Sequence, residues 1–142
     1  MIVLDTDHLS AIQYRDNPKA FALHTQLEAV PPHEVATTVI SLEEQMRGWL
    51  RLIARYHDVN RQVQYYDRLI RMVDFFAEWR ILPFDGRAAD EFRRLRQQGV
   101  RIGTMDLKIA AIALANHARL LSGNLRDYQH VPGLDVADWL HG

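Results

Sequence analysis

Along the chain, short runs of β-branched and leucine residues alternate with longer segments at helical period. "MIVLD" predicts a short buried strand, and Thr6 or Asp7 is placed to cap a helix through "HLSAIQ". Pro18 opens a second helix, "PKAFALHTQLEA", before the break at "VPPH". The β-branched run "EVATTVIS" reads as a second strand, feeding the helix "SLEEQMRGWLRLIARYH". Another helix follows in "NRQVQYYDRLIRMVDFFAEW", where Val63, Tyr66, Leu69, Ile70, Val73 and Phe76 form a stripe. "RILPFD" is a third strand, and Asp85 begins the helix "GRAADEFRRLRQQG", closed by Gly99. In "IGTMDLKIAAIALANHA", Leu107, Ala110, Ala111, Leu114 and Ala118 mark one face while Ile109, Ile112 and Ala113 fill much of the other, as in a helix at the centre of a fold. "RLLS" is a fourth strand, "NLRDYQH" a short helical turn and "GLDVADW" a last edge strand.

Strands alternating with helices predict an α/β fold of three layers, a short, mostly parallel sheet of about four or five strands flanked by helices. At 142 residues and 48% hydrophobic, residues 1–142 make one domain with a single core. The absence of cysteine excludes a disulfide framework, a thiolate zinc site and a catalytic cysteine, and fits a reducing cytosol. No apolar run approaches the roughly 18 residues of a membrane span, and neither a basic leader nor a small-residue cleavage site opens the chain, so the expectation is a soluble cytoplasmic protein. With a formal net charge of -1, any polyanion must be met by a local basic patch.

Parallel sheets bind ligands at the carboxyl ends of their strands, and acids gather there. Asp5 ends the first strand, Glu43 and Glu44 follow the second, Asp106 starts the central helix, and Asn124 and Asp127 follow the fourth strand. Taken singly, each has a local explanation: Asp5 and Asp7 as helix caps, Ser41 and Glu44 as a capping box, Asp106 as a first-turn dipole partner behind a cap at Thr104. Those explanations do not require the side chains to meet at one edge. Converging carboxylates repel, and a hard cation held by oxygen ligands, Mg²⁺ or Mn²⁺, is the usual compensation. Such a cation, alone or as a pair about 4 Å apart, promotes hydrolysis of a phosphodiester without a covalent intermediate.

"VLDTDHLS", "TTVISLEEQMRG", "IGTMDLKIAAIALANHARLLSGN" and "DYQHVPGLDVADW", in order over nearly the whole chain, resemble the PIN-domain ribonucleases, in particular the VapC toxins of bacterial toxin–antitoxin pairs. The resemblance implies a PIN-like fold and a Mg²⁺- or Mn²⁺-dependent endoribonuclease, with Asp5, Glu44 and Asp106 as catalytic metal ligands and Glu43 as the alternative at the middle position. Where many relatives carry a further acid this chain has Asn124, which leaves the fourth role open between Asn124 and Asp127. Thr6, Ser41 and Thr104 are expected to donate hydrogen bonds around the acids. The implied partners are an RNA substrate such as a tRNA, a cognate antitoxin, and a second copy in a homodimer.

Arg93, Arg94, Arg96 and Arg101 precede Asp106, and of these Arg101 is the best RNA-phosphate candidate; Arg47 and Lys108 lie within a turn of the acids. The aromatic-rich region from Trp49 to Trp79 exceeds what two amphipathic helices readily bury and suits an interface, resembling the VapC surface that receives an antitoxin. The seven histidines form no His-x-x-x-His pair, and His8 beside the site reads as a supporting group. Competing readings are a housekeeping RNA-processing nuclease, a haloacid-dehalogenase-type phosphatase suggested by "DTD", and a degenerate binding module suggested by Asn124.

Overall fold

Five short apolar runs pair side by side in the computed structural model, which describes residues 1–14 and 18–141. They are β1 (Ile2–Leu4), β2 (Val35–Thr38), β3 (Ile81–Leu82), β4 (Arg119–Leu121) and β5 (Asp135–Ala137). All pairings are parallel and the order is β3-β2-β1-β4-β5. The first strand is therefore central, with Ile2 opposite both Val35 and Arg119, and Leu4 opposite Leu121. Around the sheet lie α1 (Thr6–Gln13), α2 (Pro18–Glu28), α3 (Val39–Arg55), α4 (Val59–Ala77), α5 (Gly86–Gln97), α6 (Thr104–Ala115) and α7 (Leu125–Tyr128).

Successive strand residues point to opposite faces, and this divides the core in two. Val3 and Leu120 pack with Ala88 and Leu95 of α5 and with α6, while Leu4 and Leu121 pack with Leu9, Leu23, Met72 and Phe76 of α1, α2 and α4. Helix α6 buries Leu107, Ile109, Ala110, Ala111, Ile112 and Ala113 completely, as its all-round apolar pattern requires.

Four local expectations are corrected. The cap of α1 is Asp5, as one of the two readings of "DTD" has it, and neither Thr6 nor Asp7, because Asp5 has extended backbone and its side chain accepts from Thr6 N–H. Helix α3 begins at Val39, so "VIS" belongs to its first turn; Thr38 caps it by accepting from Ser41 N–H, which removes the Ser41–Glu44 capping box. Gly103, not Thr104, caps α6, and that cap makes no side-chain hydrogen bond. The α4 stripe divides between two faces. Phe76 and Met72 are buried, whereas Val59, Val63, Tyr66, Ile70 and Val73 are each at least 51% exposed.

Truncation of Ile112 to alanine is expected to lower unfolding free energy by about 2–5 kcal/mol through lost burial and a residual cavity, while Val63→Ala stays within about 0.5 kcal/mol. Urea midpoints at constant m-value check both.

Candidate active site

The carboxyl ends of β1, β2 and β4 open onto one edge, and the residues that follow them build the site. Asp5, 7% exposed, accepts from Thr6 N–H through Oδ1 (2.8 Å) and from the Ser122 hydroxyl through Oδ2 (2.7 Å). Burial pushes its carboxyl up to about 6, and the charges of Asp7 and Asp106 add to the rise, while the Ser122 and Thr6 hydrogen bonds oppose it. Ser122 sits next to Asp5 because the strand before each is in register, and its oxygen in turn accepts from Asn124 N–H (3.0 Å).

Glu44 reaches the same edge from the second turn of α3. The Thr6 hydroxyl shares its single proton between Ser41 Oγ (3.1 Å) and Glu44 Oε2 (3.3 Å), which ties the glutamate to the segment carrying Asp5. Partial burial, followed by the charge of Asp5, raises the Glu44 carboxyl above its ordinary value. Asp106, in the first turn of α6, is raised by burial and by the charge of Asp127, against hydrogen bonds from the Tyr128 hydroxyl (3.3 Å) and Asn124 Nδ2 (3.2 Å). Asn124 Nδ2 also donates to Asp127 Oδ2 (3.2 Å), so one amide bridges the two aspartates. Three carboxylates from three segments thus hold protons more tightly than free side chains do.

All their donors are hard oxygens, which suits a divalent cation such as Mg²⁺ or Mn²⁺. Among the described residues, however, no group of three or more His, Asp or Glu side chains is gathered closely enough, as placed, to hold an ion. The chemistry of the donor set fits a cation, and the carboxylates stand within electrostatic reach of one another without closing on a common centre.

The remaining candidates separate. Glu43 turns away into an ion pair with Arg47 (2.6 Å), leaving the middle position of the cluster to Glu44. Thr104 accepts from Arg96 (3.4 Å) and makes no hydrogen bond to Asp106. Lys108 lies over the Phe84 ring, 5.8 Å from its centroid. Arg47 lines an open cavity of about 490 Å³ together with Glu44 and Asp106, and Arg101 lines a second, of about 580 Å³, together with Asp127. Arg93 and Arg94 pair with Asp90 and Glu91 on their own helix.

Ser122 and Tyr128 are not found by reading motifs, whereas His8 takes the supporting place that the sequence suggests for it, together with Asp7. Ser122 and Tyr128, both fully buried, hold Asp5 and Asp106. Asp7 accepts from Gly123 N–H (2.7 Å), and its other oxygen takes both the backbone N–H (2.7 Å) and ring Nδ1–H (2.9 Å) of His8. Burial alone would raise the Asp7 carboxyl, but the bonds from His8 and Gly123 outweigh it and hold it below its ordinary value. His8 is fully buried, and its Nε2 accepts from Trp139 N–H (3.0 Å), so the C-terminal segment and the loop bearing Ser122 and Asn124 both fasten to the start of α1. The signal for Ser122 is its register with Asp5, which requires the strand pairing to be known first.

The profile of the PIN domain family matches residues 2–134. A ribonuclease VapC2 of Rickettsia felis is 30% identical over 69 residues, 46% of this chain and 52% of that protein. A ribonuclease VapC2 of Haemophilus influenzae is 32% identical over 82 residues, 54% of this chain and 62% of that protein. The chain therefore spans 52% and 62% of the length of these two relatives. VapBC2 from Rickettsia felis bound to a DNA fragment from its promoter superposes with a TM-score of 0.72 at 22% identity, covering 98% of this chain and 99% of that one. VapBC-1 from nontypeable Haemophilus influenzae gives 0.73 at 21% identity, with 98% of both chains covered. These likenesses establish the PIN-like fold over almost the full length.

Asp5 carries a stability signature. Its folded pKa of about 6 lies above the ordinary 3.8, so its contribution favours folding below about pH 4 and is lost as pH rises through 6. In EDTA-containing buffer Asp5→Asn should therefore gain stability relative to the parent between pH 4 and 7, on the order of 3 kcal/mol at most, read as the difference between two urea-unfolding pH series. Gly123→Ala would set a methyl 2.7 Å from Asp7 Oδ2 and 3.2 Å from His141 Cε1. A loss of about 1–3 kcal/mol by thermal melting is expected.

Proposed function

The chain belongs to the PIN domain family, and on that premise we propose that it is a Mg²⁺- or Mn²⁺-dependent endoribonuclease acting as the toxin of a VapBC-type pair. The observation that carries this reading is the delivery of Asp5, Glu44 and Asp106 by three segments to the carboxyl edge of the central strands, linked there through Thr6, Ser122 and Asn124. Nearby acids at partly buried positions oppose folding, and their retention is accounted for if a cation neutralises them in the working state. Asp5, Glu44 and Asp106 would hold the cation, with Asn124 or Asp127 completing the set. When bound, the cation supplies an activated water and charge neutralisation for in-line displacement at phosphorus.

The chain's own residues orient that arrangement. Ser122 and the Thr6 N–H fix the two oxygens of Asp5, the Thr6 hydroxyl steers Glu44, and Tyr128 with Asn124 hold Asp106. Each constraint acts on an acid before substrate arrives, so little reorganisation is left for the reaction. Glu44 and Asp106 line the open cavity, facing an incoming strand, while Asp5 stands behind them.

The antitoxin reading is supported by relatives whose solved structures are VapBC complexes and by the exposed face of α4. Val59, Val63, Tyr66, Ile70 and Val73 repeat at alternating four- and three-residue spacing, the pattern that receives an amphipathic helix. Pairing of two copies belongs to the same reading and is measured by light scattering of the isolated chain.

Purified protein should cleave RNA with Mn²⁺ or Mg²⁺ and stop with EDTA. Asp5→Asn and Asp106→Asn should each lose at least about 100-fold in kcat/KM, the scale of removing a charge-stabilising group. Cleavage that survives both substitutions refutes the assignment, and turnover of an aryl phosphate without RNA cleavage turns it to the phosphatase. Expressed alone in a bacterium, the parent should arrest growth and Asp5→Asn should not.

A further inference from the structure

Helix α3 contains a glycine that its fold does not ask for. Gly48 lies mid-helix, where glycine is less favourable than alanine, and its backbone is ordinary rather than left-handed. A Cβ built there meets nothing within 4 Å, so no close packing of the chain excludes a side chain. What adjoins it is the cavity of about 490 Å³ bounded by Glu44, Arg47, Arg51, Gly103, Thr104 and Asp106. A bare stretch of helix backbone beside reactive acids is what close approach by a ligand requires.

Charge along the same face is consistent with that. Glu44, Gly48, Arg51 and Arg55 follow one another at four- and three-residue steps, so they form one row on α3. Arg47 is occupied by Glu43 at 2.6 Å, whereas Arg51 makes no ion pair with any described residue and projects into solvent at the cavity wall. Its planar guanidinium suits phosphate better than an ammonium would. Seven residues of helix set its backbone about 10 Å along the axis from that of Glu44, at the far end of the same cavity wall. Gly103 lines both this cavity and the one that holds Arg101 and Asp127, so the two adjoin at the start of α6.

We propose that Gly48 and Arg51 form a subsite for the single RNA strand flanking the scissile phosphodiester: the strand lies against α3 at Gly48, and Arg51 takes a phosphate outside the reacting one. This rests on the ribonuclease reading and adds a seat for the substrate. It predicts that stability and binding move in opposite directions at Gly48.

The test uses the full chain carrying Asp106→Asn, to prevent turnover, and a fluorescein-labelled single-stranded RNA of mixed sequence, titrated across a range of NaCl concentrations with EDTA present. Arg51→Ala should weaken binding roughly tenfold and reduce the slope of log K against log salt by about 0.7, the loss of one phosphate contact on a single strand. Gly48→Ala should melt higher than its parent yet bind several-fold more weakly, and Gly48→Glu should bind weaker still. Weaker binding by a protein that has become more stable cannot come from misfolding. If the parent binds RNA and both Gly48→Ala and Arg51→Ala match it in affinity and slope, the subsite is refuted while the nuclease reading stands. If the parent neither binds RNA nor, with Asp106 restored, cleaves it, both fall.

Discussion

The register between β1 and β4 is the constraint on which the site depends. Leu4 lies opposite Leu121, so the next residue on each chain, Asp5 and Ser122, emerges at the same level of the sheet edge, and the hydroxyl meets the carboxylate at 2.7 Å. A slip of β4 by one residue would turn Leu121 to the face now filled by Leu120, and would part Ser122 from Asp5. The packing that gives the fold its stability is thus the same packing that aligns the acids. Once Asp5 is set, Thr6 falls within reach of Ser41 and Glu44, and Asn124, fixed by Ser122, falls within reach of Asp106.

Much of this was legible in the residues. The strand–helix alternation predicted a parallel sheet, and the all-round apolar pattern of α6 predicted its central place. Boundaries were less legible where local preference and context disagree. Val39 and Ile40 are strong strand formers, yet they enter α3 because Thr38 caps that helix. The α4 pattern marks apolar positions without saying which of two faces meets the core, and the structure turns Met72 and Phe76 inward and Val63 and Ile70 outward. Ser122 and Tyr128 escaped notice because a lone serine after a strand, or a tyrosine in a short helix, has no meaning until pairing brings it beside an acid. The choice between Glu43 and Glu44 likewise needed the helix phase, which sends one to Arg47 and the other to Thr6. Asn124 and Asp127, which the sequence left as alternatives, are hydrogen-bonded to each other.

The two aspartates of "DTD" have opposite electrostatics although one residue separates them. Asp5 has two donors and deep burial, and its proton affinity rises. Asp7 gathers three N–H donors and its proton affinity falls. One side chain is kept poorly satisfied at the site, and its neighbour is fully engaged in holding the surrounding loops. The division shows how a short motif can supply both a buried acid of raised proton affinity and the scaffold that steadies it.

The hydrogen bond between Ser122 and Asp5 spans 117 positions of the chain. The central strand β1 precedes β2, β3 and the helices through α6, and its other neighbour β4 follows them all, so the sheet lacks a flank and the acids lack their setting until β4 is in place. The acidic edge is therefore a late product of folding, since it can exist only once β4 has paired with β1 and brought Ser122 to Asp5.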